Sequence, residues 1–400
     1  MSKKIIVAGT GCALADYLYT GVRFDSPVFQ KYLSHNAGDG GLAPGRLVFT
    51  EELEKFSGVS YSEISRELTG GESPEAINIG GPGLVSLINA AQLLPQEDFE
   101  VCFYGGTGTD ETAAFIEKLV RKTPLNIDHY HRISEKRTPF TDVLSDTTYD
   151  NNHGERTFIN NIGAAWDYTP DLLGDDFFRA DIVCFGGTAL VPRIHDSLTT
   201  LLSRAKENGC LTVVNTVFDF RNEKLNPGHP WPLVESPEDF KLIDLLIMDC
   251  EESLKISGQK TIEEAAQYFV DLDVPTFVIT NGAQDFYLFS NGKLFEMCDL
   301  KKLPVSQKVN EDFKHNPSSK GDTTGCGDNF AGGIIASLAR QIKTKTTGKL
   351  NLNEAIAWGV ASGGFACYYI GGTYIEREPR EKHTIVEIFK LQYLMQITTK

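Results

Sequence analysis

Basic charge is scarce in this sequence: 38 Lys and Arg stand against 54 Asp and Glu in 400 residues, a formal net charge of -16. That balance argues against a nucleic-acid or anionic-membrane partner, since both need a concentrated positive surface. Long apolar runs are missing as well. None approaches membrane-spanning length, and the apolar stretch after Lys4 is too brief for a secretory core, so a cytoplasmic protein without a membrane partner is expected. The eight cysteines include no C-x-x-C pair. Several lie in strand-like runs, as in Val101-Cys102-Phe103 and Val183-Cys184-Phe185, and read as buried apolar thiols of a reducing compartment. No G-x-x-x-x-G-K-[ST] occurs, which excludes a P-loop kinase. No V-A-I-K, H-R-D or D-F-G occurs, which excludes a protein kinase. After the first strand, Gly9-Thr10-Gly11 suggests a dinucleotide fingerprint, but Leu14 stands where the third glycine is needed.

What is present is an ordinary globular composition, 41% hydrophobic and 23% charged, in a chain long enough to bury a substantial core. Strand-like runs occur at 4–8, 101–104, 182–185, 212–216, 242–248 and 276–280. From residue 180 they alternate regularly with helical segments such as 198–208, the pattern of an α/β sheet. Residues 138–144 and 156–160 alternate polar and apolar and predict a hairpin. A hairpin of this kind forms part of a small sheet over the main body, a lid that keeps water out. His129 and His131 share one face of a strand; with no third ligand nearby, an exposed lid strand is the better reading than a metal site. Residues 51–68 contain helix formers and look like added material without an assigned purpose.

The chemistry concentrates at 320–336. Gly325, Cys326 and Gly327 form a small-residue loop that opens a buried, glycine- and alanine-rich helix over 330–339. The first N–H groups of a helix have no intrahelical partner and, with the helix dipole, form an anion site. Asp328 places a carboxylate beside that site. Two readings fit it: a base taking a proton from a hydroxyl that attacks a bound phosphate, or a first-turn acid that merely suits the dipole. Cys326 has two readings also, a small residue or a thiol acidified by the helix terminus. Elsewhere Asp16 follows the first strand, as a cleft residue or a cap. Gly80-Gly81-Pro82-Gly83 opens an apolar helix with room for close backbone approach. Asp249 and Glu252 follow a strand, where acids serve a hydrated Mg²⁺ or a helix N-terminus equally well. Thr280 and Gly282 lie at a strand end that also reads as a tight turn, and Asp219 with Arg221 reads as a surface salt bridge.

The string Asp322-Thr323-Thr324-Gly325-Cys326-Gly327-Asp328 resembles the Asp-Thr-x-Gly-Ala-Gly-Asp signature of ribokinase-like (PfkB) carbohydrate kinases, with Cys326 in place of Ala. The Gly80-Gly81 pair resembles the family's second signature, although Val85 stands where an Asn is expected. The resemblance runs along most of the chain. It implies one domain over 1–400, an α/β three-layer sandwich with a mostly parallel central sheet and a small β lid from parts of 22–80 and 138–162. It implies transfer of the γ-phosphoryl group of ATP to a hydroxyl of a sugar or sugar-like substrate, with a nucleoside kinase or a non-catalytic ligand-binding relative as alternatives. On that resemblance Asp328 is the general base, and the backbone of Gly325, Cys326 and Gly327 is the anion hole. Asp16, Gly80, Gly81 and Gly83 hold substrate, while Thr280, Gly282 and Thr324 hold the nucleotide. Glu252 supports Mg²⁺ with Asp249 replacing the family's Asn, and Asp322 with Gly371 matches a site for a monovalent cation such as K⁺. A homodimer through the lid is the implied assembly.

Overall fold

The computed structural model describes residues 3–36, 38–345 and 348–398. Nine strands form one sheet: β1 (Ile5–Gly11), β5 (Phe99–Thr107), β6 (Asn126–Arg132), β9 (Ile182–Gly186), β10 (Leu211–Asn215), β11 (Leu245–Asp249), β12 (Thr276–Thr280), β13 (Phe286–Ser290) and β14 (Cys298–Leu303), in the order β14-β13-β12-β11-β10-β9-β1-β5-β6. From β12 to β6 every pairing is parallel, and β13 and β14 close one edge antiparallel. A parallel sheet is covered on both faces, so its strands are apolar on both sides. Ile182 and Cys184 point into one hydrophobic cluster, Val183 and Phe185 into the other. The first cluster is closed by helices Pro82–Leu93, Cys326–Thr344, Leu352–Ala366 and Glu381–Thr398; the second by Leu198–Glu207, Cys250–Ser257 and Ile262–Asp271. Three layers result.

Five further strands make the small sheet: β2 (Leu14–Tyr19), β3 (Leu47–Phe49), β4 (Ala76–Gly80), β7 (Phe140–Asp146) and β8 (Glu155–Asn161), in the order β3-β8-β7-β2-β4. The hairpin expected over 138–160 is β7 and β8, paired antiparallel. Only Cys12 and Ala13 separate β1 of the large sheet from β2 of the small one.

The unassigned stretch 51–68 becomes helices Thr50–Ser57 and Tyr61–Thr69. Their Leu53, Tyr61, Ile64 and Leu68 pack with Phe29, Val48, Phe140, Leu144 and Ile159 as a third hydrophobic cluster. The outer face of the small sheet is therefore covered by its own chain. One correction concerns His129 and His131, which lie in β6 at the edge of the large sheet, not in the lid. His129 stacks on Tyr104 at 4.1 Å between ring centroids, and this contact, absent from any local pattern, accounts for its place. Among the described residues no helix is long and apolar enough to cross a membrane, and all eight cysteines are free thiols.

Candidate active site

The helix Cys326–Thr344 starts at Gly325, whose φ of 72° is left-handed and whose added Cβ would stand 2.5 Å from the Cα of Gly372. Both facts demand glycine. No side chain caps this terminus. The Cys326 N–H turns back to the Thr323 carbonyl at 3.3 Å, so this member of the expected anion hole is already engaged. Among the described residues no acceptor takes the N–H of Gly327 or Asp328. An added Cβ at Gly327 would meet nothing within 4 Å, so the loop faces open space. Two unpaired donors and a helix dipole remain directed at that space.

Asp328 is half-buried, and its carboxylate has no hydrogen bond among the described residues. Burial pushes its pKa up to about 7. Asp16 lies in β2, on the inner face of the small sheet rather than in the turn after β1. Burial first, and the Asp328 charge second, push its pKa up to about 7 as well. An added Cβ at Gly80 would lie 2.2 Å from Oδ2 of Asp16, one at Gly81 would lie 2.5 Å from the Cys12 carbonyl, and one at Gly83 would lie 2.9 Å from the Gly11 carbonyl carbon. The glycine cluster is thus the seat of the β1–β2 crossing and makes room for the Asp16 carboxylate. Val85, where the family has Asn, is buried against Gly372.

Asp16 is in register with Thr141, and Thr141 with Asn160. Asn160 Nδ2 donates to Thr141 Oγ1 at 2.9 Å, while its Oδ1 is buried without a partner. This polar row across the lid was not read from the sequence. Arg156 was missed too: two positions before Phe158 on the same strand face, its Nη1 stands 3.5 Å from Thr324 Oγ1, and its charge pulls against the rise in Asp16. The signal available was a cation at an inward position of a hairpin already assigned to the lid.

Asp249 and Glu252 form a reciprocal capping box on helix Cys250–Ser257. Glu252 N–H donates to Asp249 Oδ1 at 2.8 Å, and Asp249 N–H donates to Glu252 Oε2 at 2.9 Å. Thr216 Oγ1 also donates to Glu252 Oε2, at 2.5 Å. Burial, then the Asp249 charge, with Asp328 adding to them, raises the Glu252 pKa. Asp328 therefore acts electrostatically on acids at both sides of it. Thr280 is in register with Asp249, and Gly282, φ 57°, is exposed in the β12–β13 turn beside them.

Asp322 is elsewhere in the loop. Its Oδ1 accepts from the N–H groups of Thr324 at 3.1 Å and Gly371 at 3.2 Å, and its Oδ2 from Thr324 Oγ1 at 3.1 Å. The expected cation pair Asp322 and Gly371 is thus joined by a hydrogen bond, with Gly371 presenting N–H rather than carbonyl. Cys326 follows the reading as a small residue rather than that of an acidified thiol. Its Sγ lies 3.2 Å from Sγ of Cys367, and this contact, then burial, raises its pKa where a bare helix terminus would lower it. Asp219, expected in a surface salt bridge with Arg221, is buried: it caps helix Phe220–Leu225 and pairs with His195 at 3.3 Å, while Arg221 pairs with Asp196.

The sequence profile described as pfkB family carbohydrate kinase matches residues 76–378. Ribokinase of Staphylococcus aureus is 24% identical over 308 residues, covering 75% of this chain and 84% of that protein. Among solved structures, adenosine kinase of Anopheles gambiae, in complex with a di(adenosine) tetraphosphate, superposes with a TM-score of 0.63 at 18% identity, covering 91% of this chain and 96% of that one. Ribokinase of Arabidopsis thaliana, complexed with ribose and ATP, superposes with a TM-score of 0.61 at 15% identity, covering 97% of this chain and 99% of that one.

Proposed function

The chain belongs to the PfkB family of carbohydrate kinases, and from that premise we propose that it moves the γ-phosphoryl group of ATP onto a hydroxyl of a sugar or sugar-like alcohol, with Asp328 as the base. The observation that carries this reading is the uncapped helix terminus at Gly325, facing open space at Gly327, with an unbonded carboxylate in its first turn that burial raises to a pKa of about 7. A base with that pKa is half ionised near neutral pH and takes a proton efficiently as the hydroxyl attacks. The N–H groups of Gly327 and Asp328, with Gly325 shaping the turn, bind the charge spread over the phosphoryl oxygens. Asp16 holds hydroxyls of the acceptor from the lid, supported by Thr141 and Asn160. Gly80, Gly81 and Gly83 let the backbone approach it closely. Thr280, Gly282 and Thr324 line the nucleotide side, and Arg156 brings a cation from the lid to that side.

Glu252 and Asp249 fit a hydrated Mg²⁺. Buried Glu252 and exposed Asp249 face each other with no cation beside them among the described residues, and Mg²⁺ takes one or two carboxylates while keeping several waters. When bound there the ion neutralises phosphate charge. Asp322 and Gly371 are joined by a hydrogen bond, and no step is assigned to a monovalent cation beside them.

A coupled ADP-release assay over pentoses, hexoses, keto-acids and nucleosides, with ATP and Mg²⁺, tests the proposal. Turnover with at least one acceptor is expected. Calorimetric ATP binding without turnover on any of them would replace it with a ligand-binding relative, the reading that Val85 and Asp249 favour.

A further inference from the structure

Lys382, in the first turn of helix Glu381–Thr398, is 1% exposed. Its ammonium meets amides, not a carboxylate: Nζ donates to Asn329 Oδ1 at 2.8 Å and to Gln92 Oε1 at 3.1 Å. The nearby acid Glu376 accepts the Lys382 backbone N–H instead, at 3.0 Å. The Tyr369 ring lies 5.9 Å from the charge. Taking an ammonium out of water is costly, and burial draws this one down to a pKa of about 7, the Glu376 charge offsetting only part of the fall. Methionine would fill the same volume without that cost. Packing therefore gives no reason for a lysine here.

Asn329, the residue after Asp328, supplies the reason. It is fully buried, and its Nδ2 donates to two carbonyls at 2.8 Å, those of Gly325 and Gly372. Its Oδ1 receives Lys382 and the Tyr369 hydroxyl, the latter at 3.3 Å. An amide side chain can turn over, exchanging its donor and acceptor ends at little steric cost. An ammonium has donors only and the two carbonyls accept only, so together they admit just the orientation with Oδ1 toward Lys382. That orientation sends Nδ2 to Gly325 and Gly372 and ties the left-handed start of the signature helix to the 371–372 turn.

We propose that Lys382 is a positioning residue: by fixing the Asn329 amide it holds the signature loop in the arrangement that presents Asp328 and the neighbouring N–H groups to the phosphoryl site. The inference rests on the role given to Asp328 above. It is distinct from that role because it predicts an effect on the loop in the absence of any substrate.

The test uses full-length K382M and K382Q with three readouts: thermal midpoint, amide hydrogen exchange over 322–329 and 369–374, and ADP release with D-ribose, adenosine or whichever acceptor of the panel is turned over. For K382M the midpoint is expected to equal or exceed that of the unmodified protein, since a buried charge only partly compensated by Glu376 is removed. Exchange in the two segments should quicken about ten- to a hundredfold, the scale of one lost hydrogen bond to a charged group. kcat should fall by a similar factor with KM for the acceptor unchanged. K382Q, which keeps an N–H donor, should recover part of the protection and part of kcat. Unchanged exchange in both segments of K382M would overturn the proposal. So would a lowered midpoint with faster exchange throughout the chain, or no recovery in K382Q, since either assigns lysine a packing role alone. If the unmodified protein phosphorylates no acceptor, the kinase reading fails while the exchange measurement still decides the role of Lys382.

Discussion

Asp328→Asn should make the protein slower and more stable at once. The carboxylate has no hydrogen bond to lose, and its replacement is nearly isosteric. Loss of a general base costs about 10²–10⁴ in kcat. Stability moves the other way. The folded-state pKa of about 7 against the ordinary 3.8 corresponds to about 4 kcal/mol at 1.36 kcal/mol per pKa unit. Because the side chain is only half-buried, solvent screening reduces this to about 2 kcal/mol. The sign follows from a raised pKa: between 3.8 and about 7 the unfolded chain has released the proton and the folded one has kept it, so stability falls as pH rises through that window. Asparagine has no such dependence. Its advantage is therefore smallest at pH 4, grows as pH rises through that window, and is complete above the folded-state pKa of about 7. With an unfolding entropy of about 2 cal/mol/K per residue, the gain at pH 8 is roughly 2–3 °C in thermal midpoint. Differential scanning calorimetry at pH 5 and pH 8 measures it, alongside ADP release. An Asp328→Asn variant with near-normal turnover refutes the assignment of the base, and a gain as large at pH 4 as at pH 8 refutes the electrostatic account.

Three more outcomes are expected. Arg156→Gln should lower kcat/KM for ATP about tenfold or more while leaving the thermal midpoint alone, because Arg156 is half-buried and its guanidinium reaches Thr324 of the signature loop; unchanged ATP kinetics would remove it from the site. Gly80→Ala should raise KM for the acceptor sharply, since the new methyl would stand 2.2 Å from Asp16 Oδ2, and wild-type kinetics in that variant would show that Asp16 does not touch the acceptor. Cys326 should react with iodoacetamide at pH 8 more slowly than free glutathione, because the Cys367 sulfur and burial hold its thiol protonated; rapid labelling by peptide mass spectrometry would contradict that.

Features whose causes are local in the chain were legible in the sequence. The strand–helix alternation after residue 180 follows from residue period alone, and the loop at 322–328 is read from seven consecutive residues. Asp249 and Glu252 were legible only as a pair of alternatives, and the capping box shows why: the spacing that suits a metal also suits a helix start. What escaped depends on contacts between distant segments. Tyr104, 25 residues away, places His129; Cys367, 41 residues away, decides the acidity of Cys326. The buried pairing of Asp219 with His195 could not be told from a surface salt bridge, because nothing in Phe218-Asp219-Phe220-Arg221 specifies which side meets solvent. The helices over 50–69 carry an apolar stripe, but the stripe does not say which sheet it covers.

The two-residue passage from β1 to β2 leaves little slack. Any tilt of the small sheet away from the large one carries Asp16 with it, while Asp328 stays fixed on its helix. Opening thus eases the repulsion between two like charges, and closing restores it. On the proposed kinase reading, admission of an acceptor would therefore be coupled to the protonation of Asp16, since closing brings its carboxylate back under the Asp328 charge.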